Sequence, residues 1–341
     1  MKKLLSVILT LTLILSALAF VGCGGDPTDT TTTTGDNNPP AGNATLKLGL
    51  GVYTEVSATN ATEDKAGQGQ ATITAAAVLV DNDGKIVKAF VDCADNKVTY
   101  TAEGEAVAVS AFKTKYELGD SYNMVAYGNA TQEWYKQADA FCALIAGKTV
   151  AEVKALVVND DKGTQDVINA GCTITIAEMV KAVEKAVANA TESNATAADS
   201  IKLGVSTSQS TKNAIEDVIG YNQVETTFFA AAVNAEGKVV AASSDCVQVK
   251  FTFDATGAST FDATKAVSSK KDLGDSYNMV AYGGATQEWY KQAAAFDAAC
   301  LGKTVAEIAG LMVNNYGTAD LQAAGCTILV DGFVKAASKI G

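Results

Sequence analysis

The chain has 341 residues, 48% of them hydrophobic, and its 38 acidic residues outnumber 26 basic ones to give a formal net charge of −12. Every basic residue is Lys, and an acidic chain without Arg argues against nucleic-acid binding, where cationic contacts to phosphate dominate affinity. The absence of His removes the commonest general base near neutral pH, the Ser-His-Asp and Cys-His nucleophiles and His-ligated metals, so neither an enzyme nor a metal centre is expected.

From the N-terminus, Lys2 and Lys3 followed by an apolar run over 4–21 predict a secretory signal over 1–22. Its ending, Phe20-Val21-Gly22-Cys23, resembles the lipobox of bacterial lipoproteins. That resemblance implies cleavage before Cys23, diacylation of Cys23 and anchoring in the cell membrane on its extracytoplasmic face. Loss of Lys2 and Lys3 would move the formal charge from −12 to −14. Residues 23–45 are rich in Thr, Gly, Asp and Asn and contain all 3 prolines. Such a segment cannot bury apolar surface and reads as a disordered tether.

The remainder is an internal repeat, 46–188 and 201–341, joined by a linker over 189–200. Residues 118–137 return at 273–292 with one difference, Asn129 against Gly284, although the flanks differ heavily. Each unit opens on a strand, 46–52 and 201–205. A hairpin follows, 71–80 with 85–91 and 226–233 with 238–242, turning at Asp83-Gly84 and Glu236-Gly237. Asp81 and Asp83 belong to that turn and not to a calcium loop, because no bidentate Glu follows at the required spacing. A third strand is predicted at 97–102 and 247–253, where Val249, Phe251 and Phe253 alternate with polar residues. Helices come next. Trp134, Ala138, Phe141, Cys142 and Ile145 share one helical face, repeated by Trp289, Ala293, Phe296 and Cys300, and Gly147 and Gly302 stop the helix. Thr149 with Glu152 and Thr304 with Glu307 are capping boxes, and Thr175 with Glu178 is read as the start of a final helix, with a looser counterpart from Asp331. The predicted class is α+β: two tandem copies of a small antiparallel sheet with helices packed on one side. Cys93, Cys142, Cys172, Cys246, Cys300 and Cys326 show no CxxC spacing, which leaves buried thiols or disulfides of an oxidising compartment as the alternatives.

The fixed block brings a Thr, Thr131 or Thr286, to the start of a helix behind a turn of small residues, Gly128-Asn129-Ala130 or Gly283-Gly284-Ala285. One reading makes the Thr a helix N-cap with Trp134 and Trp289 as core anchors. The other starts from the free N–H groups of a helix start, which favour phosphate, and from glycines that admit a large group to the backbone. Tyr127, Trp134, Tyr282 and Trp289 then offer faces for a flat heterocycle. Phosphate with a flat heterocycle points to a nucleotide-like cofactor, and the Thr hydroxyl to its covalent attachment point.

The order of a Gly-rich strand, a hairpin with Asp83-Gly84-Lys85-Ile86, Leu118-Gly-Asp-Ser-Tyr-Asn-Met124, Glu133-Trp134-Tyr135-Lys136-Gln137 and Gly147-Lys-Thr-Val-Ala-Glu-Val153 resembles the FMN-binding-domain lipoproteins of Gram-positive bacteria. That family includes sex-pheromone-precursor lipoproteins and flavinylated lipoproteins of extracellular electron transfer. The resemblance implies a surface-anchored electron carrier with FMN held covalently, as a phosphoester, on Thr131 and Thr286. It also implies a flavin transferase and a membrane electron donor, such as a quinone-linked dehydrogenase, as partners. The sequence departs from the family pattern Asp-x-x-Ser/Thr-Gly-Ala-Ser/Thr at Val125 and Val280 and at Gly128 and Gly283, and Asn129 stands where Gly284 fits, so Thr286 matches better than Thr131. The alternative is a flavin-free binding or structural module of the cell surface in which the Thr only caps a helix. Residues 15–22 resemble a released pheromone peptide, so that module can also be a pheromone precursor.

Overall fold

In a computed structural model of the chain, residues 44–158 and 161–341 are described; the predicted signal, Cys23 and nearly all of the tether lie outside them. The first repeat runs β1 (Leu46–Thr59), β2 (Gly67–Val80), β3 (Ile86–Tyr100), β4 (Ala106–Val107), α1 (Lys115–Leu118), α2 (Met124–Gly128), α3 (Trp134–Ile145), α4 (Val150–Lys154), α5 (Gln165–Asn169) and α6 (Ala177–Ala188). After β5 (Thr191–Ala195), the second runs β6 (Ser200–Lys212), β7 (Gly220–Val233), β8 (Val239–Phe253), α7 (Lys270–Leu273), α8 (Met279–Gly283), α9 (Trp289–Cys300), α10 (Val305–Ala309), β9 (Met312–Val313), β10 (Tyr316–Gly317), α11 (Ala319–Ala323) and α12 (Asp331–Ala337).

The class is α+β, with antiparallel sheets in the orders β4-β3-β2-β1-β5 and β6-β7-β8 and a small β9-β10 ribbon. The strands are longer than predicted. The second hairpin arm and the predicted third strand are one element, β3 or β8, paired along its length to β2 or β7. A single bulge, between Leu79 and Val80 or between Ala232 and Val233, is the only break in each ladder. The Asp92-Cys93 and Ser244-Asp245 segments between arm and third strand pass through the sheet because their polar groups find partners in the interior. The predicted linker contributes β5, an edge strand on β1. Thr149 and Thr304 form the predicted capping boxes, and Gly147 and Gly302 follow their helices at φ of 79° and 76°. Thr175 does not cap α6: the cap position is Ile176, without a side-chain bond.

The two sheets pack face to face and share a core. Ile73, Ala75 and Ala77 on one sheet belong to the same cluster as Phe228, Ala230 and Phe251 on the other. The opposite faces carry the helices over a core of their own in each repeat, with Trp134 and Phe141 in one and Trp289 and Phe296 in the other. The layers are therefore helices, sheet, sheet, helices. Burial on both faces accounts for the unbroken apolar runs at the ends of β2 and β7. The repeats meet about a local two-fold. Ala61 N–H donates to Gly257 O at 2.8 Å while Ala214 N–H donates to Gly104 O at 2.8 Å, and Tyr100 stacks on Phe253 with ring centroids 4.2 Å apart. This is the reciprocal contact pattern of an isologous dimer, here made within one chain.

Buried acids tie sheet to helix, Asp92 in the first repeat and Asp245 in the second, where Asp297 of α9 also accepts from Ser244 N–H at 2.9 Å. Asp92 accepts from Cys93 N–H at 2.6 Å and Tyr116 N–H at 3.1 Å, and Asp245 from Cys246 N–H at 2.7 Å and Lys271 N–H at 3.1 Å. Burial outweighs these bonds and pushes Asp92 up to about 7 and Asp245 up to about 6, from 3.8 in the unfolded chain. The folded state therefore binds more protons than the unfolded state across that window. The resulting stability is fully present below about pH 4 and is lost as pH rises through 6 to 7. Glu152 and Glu307, held low by their own caps, act in the opposite sense only below the usual carboxylate range. Urea midpoints are thus expected to be higher at pH 5 than at pH 7.5. Burial raises Asp297 as well, so Asp92→Asn with Asp245→Asn should remove a part of that rise, and an unchanged rise in the double variant would refute the assignment.

Candidate functional site

The fixed block folds into the same arch in both repeats. A helical turn reaches Asn123 or Asn278, which takes the left-handed conformation at φ 58° or 59°, and the chain re-enters a short helix, α2 or α8. That helix ends on Asn129 at φ 53° or Gly284 at φ 65°. Asn tolerates this conformation as Gly does, so the single difference between the blocks leaves the backbone unchanged. Glu133 is the cap position of α3, but its carboxylate turns back to accept from Met124 N–H at 2.8 Å and Val125 N–H at 3.2 Å. Glu288 does the same to Met279 and Val280, at 2.8 and 3.1 Å. Each buried acid thus satisfies the free N–H groups that open the short helix.

Gln137 is fully buried and closes the arch. Its Nε2 donates to Gln132 O at 2.8 Å, and its Oε1 accepts from the backbone and hydroxyl of Thr173 at 2.7 and 3.0 Å. Gln292 repeats this with Gln287 and Thr327. Outside the arch, Asp120 accepts from the Tyr135 hydroxyl at 3.2 Å and Asp275 from Tyr290 at 3.2 Å. Most polar residues of the block recur because they bond to one another.

The predicted site residues separate under this geometry. Thr131 and Thr286 are exposed, lie two residues before the cap position, and do not cap α3 or α9. The helix-cap reading is corrected: a bend at Thr131-Gln132 or Thr286-Gln287 leads from the arch, and Glu133 or Glu288 behind it takes the extended cap position. Gly128, Gly283 and Gly284 are exposed on the arch, with Ala130 and Ala285 half-buried beneath it. Tyr127 and Tyr282 project into solvent, 86% and 88% exposed. Trp134 and Trp289 are buried, each 4% exposed, and Trp289 stacks on Phe333 with centroids 5.6 Å apart. They anchor the core, and what they leave uncovered faces a cleft and not bulk solvent.

A cleft that the sequence did not announce is lined by the two ends of each arch. Met124 and Trp134, which bracket the first arch, line a cavity of about 350 Å³ with Thr72, Thr74, Cys93 and Lys115. Met279 and Trp289 line its counterpart of about 490 Å³ with Glu225, Thr227 and Lys270. Volumes of this order hold small organic ligands. In both clefts a lysine ammonium sits over two rings: Lys115 at 5.5 Å from Tyr122 and 5.7 Å from Trp134, Lys270 at 5.3 Å from Tyr277 and 5.5 Å from Trp289. The clefts differ in charge. Glu225 pairs with Lys270 at 2.8 Å, whereas Thr72 takes that place in the first repeat and the carboxylate moves across the ladder to Asp95. Asp95 is engaged by Gln70 at 2.6 Å and by Lys97 at 3.4 Å. Among the described residues Lys115 makes no ion pair, and Glu55 and Glu178 stand at the rim of its cleft.

The six described cysteines are free. Burial pushes Cys93 up to about 11 and drives Cys246 higher still, so neither is a ready thiolate near neutral pH. Cys172 and Cys326 are fully buried, as small apolar residues would be. Lys115 and Lys270 had a signal available in the sequence: both stand three residues before the fixed Leu118 and Leu273. No helix of the described residues is long and apolar enough to cross a membrane. Compared with family models, curated proteins and solved structures, the chain matches none.

Proposed function

We propose that the protein is a lipid-anchored, extracytoplasmic electron carrier bearing FMN on Thr131 and Thr286. The observation that carries this reading is an exposed hydroxyl with no structural duty on a fixed arch whose two ends line a cleft of ligand size, twice in one chain. The residues fit the group. A free Thr supplies the ester oxygen, Asn129 and Gly284 leave the backbone open beside it, and Lys115 or Lys270 puts a cation in the cleft. In the attachment step the Thr oxygen forms a bond to the FMN phosphorus of FAD. The pyrophosphate bond breaks, AMP leaves with the electron pair, and the hydroxyl proton passes to solvent. Redox chemistry belongs to the flavin once attached, and the chain supplies position and charge.

Both arches have one backbone geometry, so Thr131 and Thr286 are offered alike and the sequence preference for Thr286 does not carry over. Lys270, already neutralised by Glu225, and Lys115, without a contacting carboxylate, give the two clefts different fields. The buried Trp134 and Trp289, and the departures at Val125 and Gly128, favour the rival reading, a flavin-free surface module. The two are separated by producing the full chain with a flavin transferase and FAD and denaturing it. Yellow colour that migrates with the polypeptide, and is lost on Thr131→Ala with Thr286→Ala, is expected. Colourless polypeptide despite an active transferase would establish the rival.

A further inference from the structure

Internal bonding explains most of the fixed block, and the remainder is informative. Asp120, Asn123, Met124, Gln132, Glu133, Trp134, Tyr135 and Gln137 each have a partner or a place in the core. Val125, Ala126, Tyr127 and Thr131 do not: all are exposed, and the first three belong to no core cluster. The same holds for Val280, Ala281, Tyr282 and Thr286. Folding places no demand on these side chains, yet they are identical in the two arches. Exposed positions just outside the block have diverged, as Asp139 against Ala294 illustrates.

We infer that Tyr127 and Tyr282 form two copies of one docking surface, read by the enzyme that esterifies the neighbouring Thr. This rests on the proposed flavin attachment. A solvated tyrosine ring is a large rigid contact that costs little conformational entropy to fix, the kind of residue that dominates small interfaces. It stands four residues from the Thr hydroxyl on the same arch, so a partner that clasps the ring has the hydroxyl at its face. Identity of the two arches calls for a single partner with one pocket for a phenol ring.

The first arch is tested alone in a full chain carrying Thr286→Ala, by following flavin incorporation with a transferase and FAD. Adding Tyr127→Ala is expected to slow incorporation about tenfold, the effect of losing roughly 1.4 kcal/mol at a contact centre. Tyr127→Phe, which keeps the ring, should stay within about twofold of the parent. Both variants should melt with the parent, because Tyr127 is 86% exposed. Incorporation by Tyr127→Ala at the parent's rate would overturn the inference and leave flavin attachment standing. The same rate with slowed electron transfer would overturn it too, assigning the ring to a redox partner. A parent that takes no flavin would overturn the attachment itself, and this inference with it.

Discussion

Gly204→Val is expected to destabilise the chain by about 3 kcal/mol or more, measured as a lowered midpoint in urea. A Cβ at Gly204 would lie 1.9 Å from the Ala336 carbonyl oxygen, inside the helix α12 that crosses β6 there. The obstacle is backbone, so no rotamer change relieves it, and α12 must lift off the sheet with Phe333 and Val334. The first repeat uses the same device, with Gly49 and Gly51 of β1 against Ala186 and Ala182 of α6. Gly283→Ala is the control. Its Cβ would meet nothing closer than Met279 at 3.5 Å, and its effect should stay within about 0.5 kcal/mol. A Gly204→Val chain that unfolds with the parent would contradict the close helix-on-sheet contact.

Glu225→Thr, which gives the second cleft the residue of the first, is expected to cost about 2 to 3 kcal/mol. Lys270 has a side chain only 7% exposed and loses the carboxylate at 2.8 Å. Burial alone would lower the Lys270 ammonium, and Cys246, Glu225 and Tyr277 outweigh it to hold the group above the usual lysine range. Glu225 itself is 38% exposed, and water screens the pair, which keeps the loss below that of a fully buried bridge. Lys270→Met in the same chain should restore most of the stability, because an apolar side chain needs no counter-charge there. Urea denaturation of the single and double variants measures both. A double variant no more stable than Glu225→Thr would show that the penalty does not come from an uncompensated ammonium.

Local signals carried much of the fold. The repeat, the hairpins, the capping boxes at Thr149 and Thr304 and the helix-stopping Gly147 and Gly302 were all legible, because each rests on residues a few positions apart. Non-local packing was not. The apolar run from Ala75 to Val80 reads as a buried strand, but nothing in it says that its inner face meets a second copy of the same sheet. The continuity of β3 and β8 through Asp92 and Asp245 was not legible either, since the partners Tyr116 and Lys271 come from a distant helix start.

At the site, sequence reasoning found the turn and its Thr, and of its two readings for that Thr the helix cap does not stand. Glu133 lies two residues closer to the helix, and its carboxylate caps a different helix nine residues back, at Met124. Trp134 and Trp289 were left between core anchor and stacking face, because sequence cannot distinguish the solvent side of a helix start from its core side; in the fold they are buried and also line the clefts. The clefts were invisible, being built from β2, β3, the arch and α6 or their counterparts, elements far apart in the chain.

The intact mass of the full chain after reaction with FAD and a flavin transferase tests the central proposal most directly. Two added FMN groups per chain are expected, one lost in Thr131→Ala, one in Thr286→Ala and both in the double variant. An unmodified mass, or FMN that persists in the double variant, would contradict attachment at these threonines.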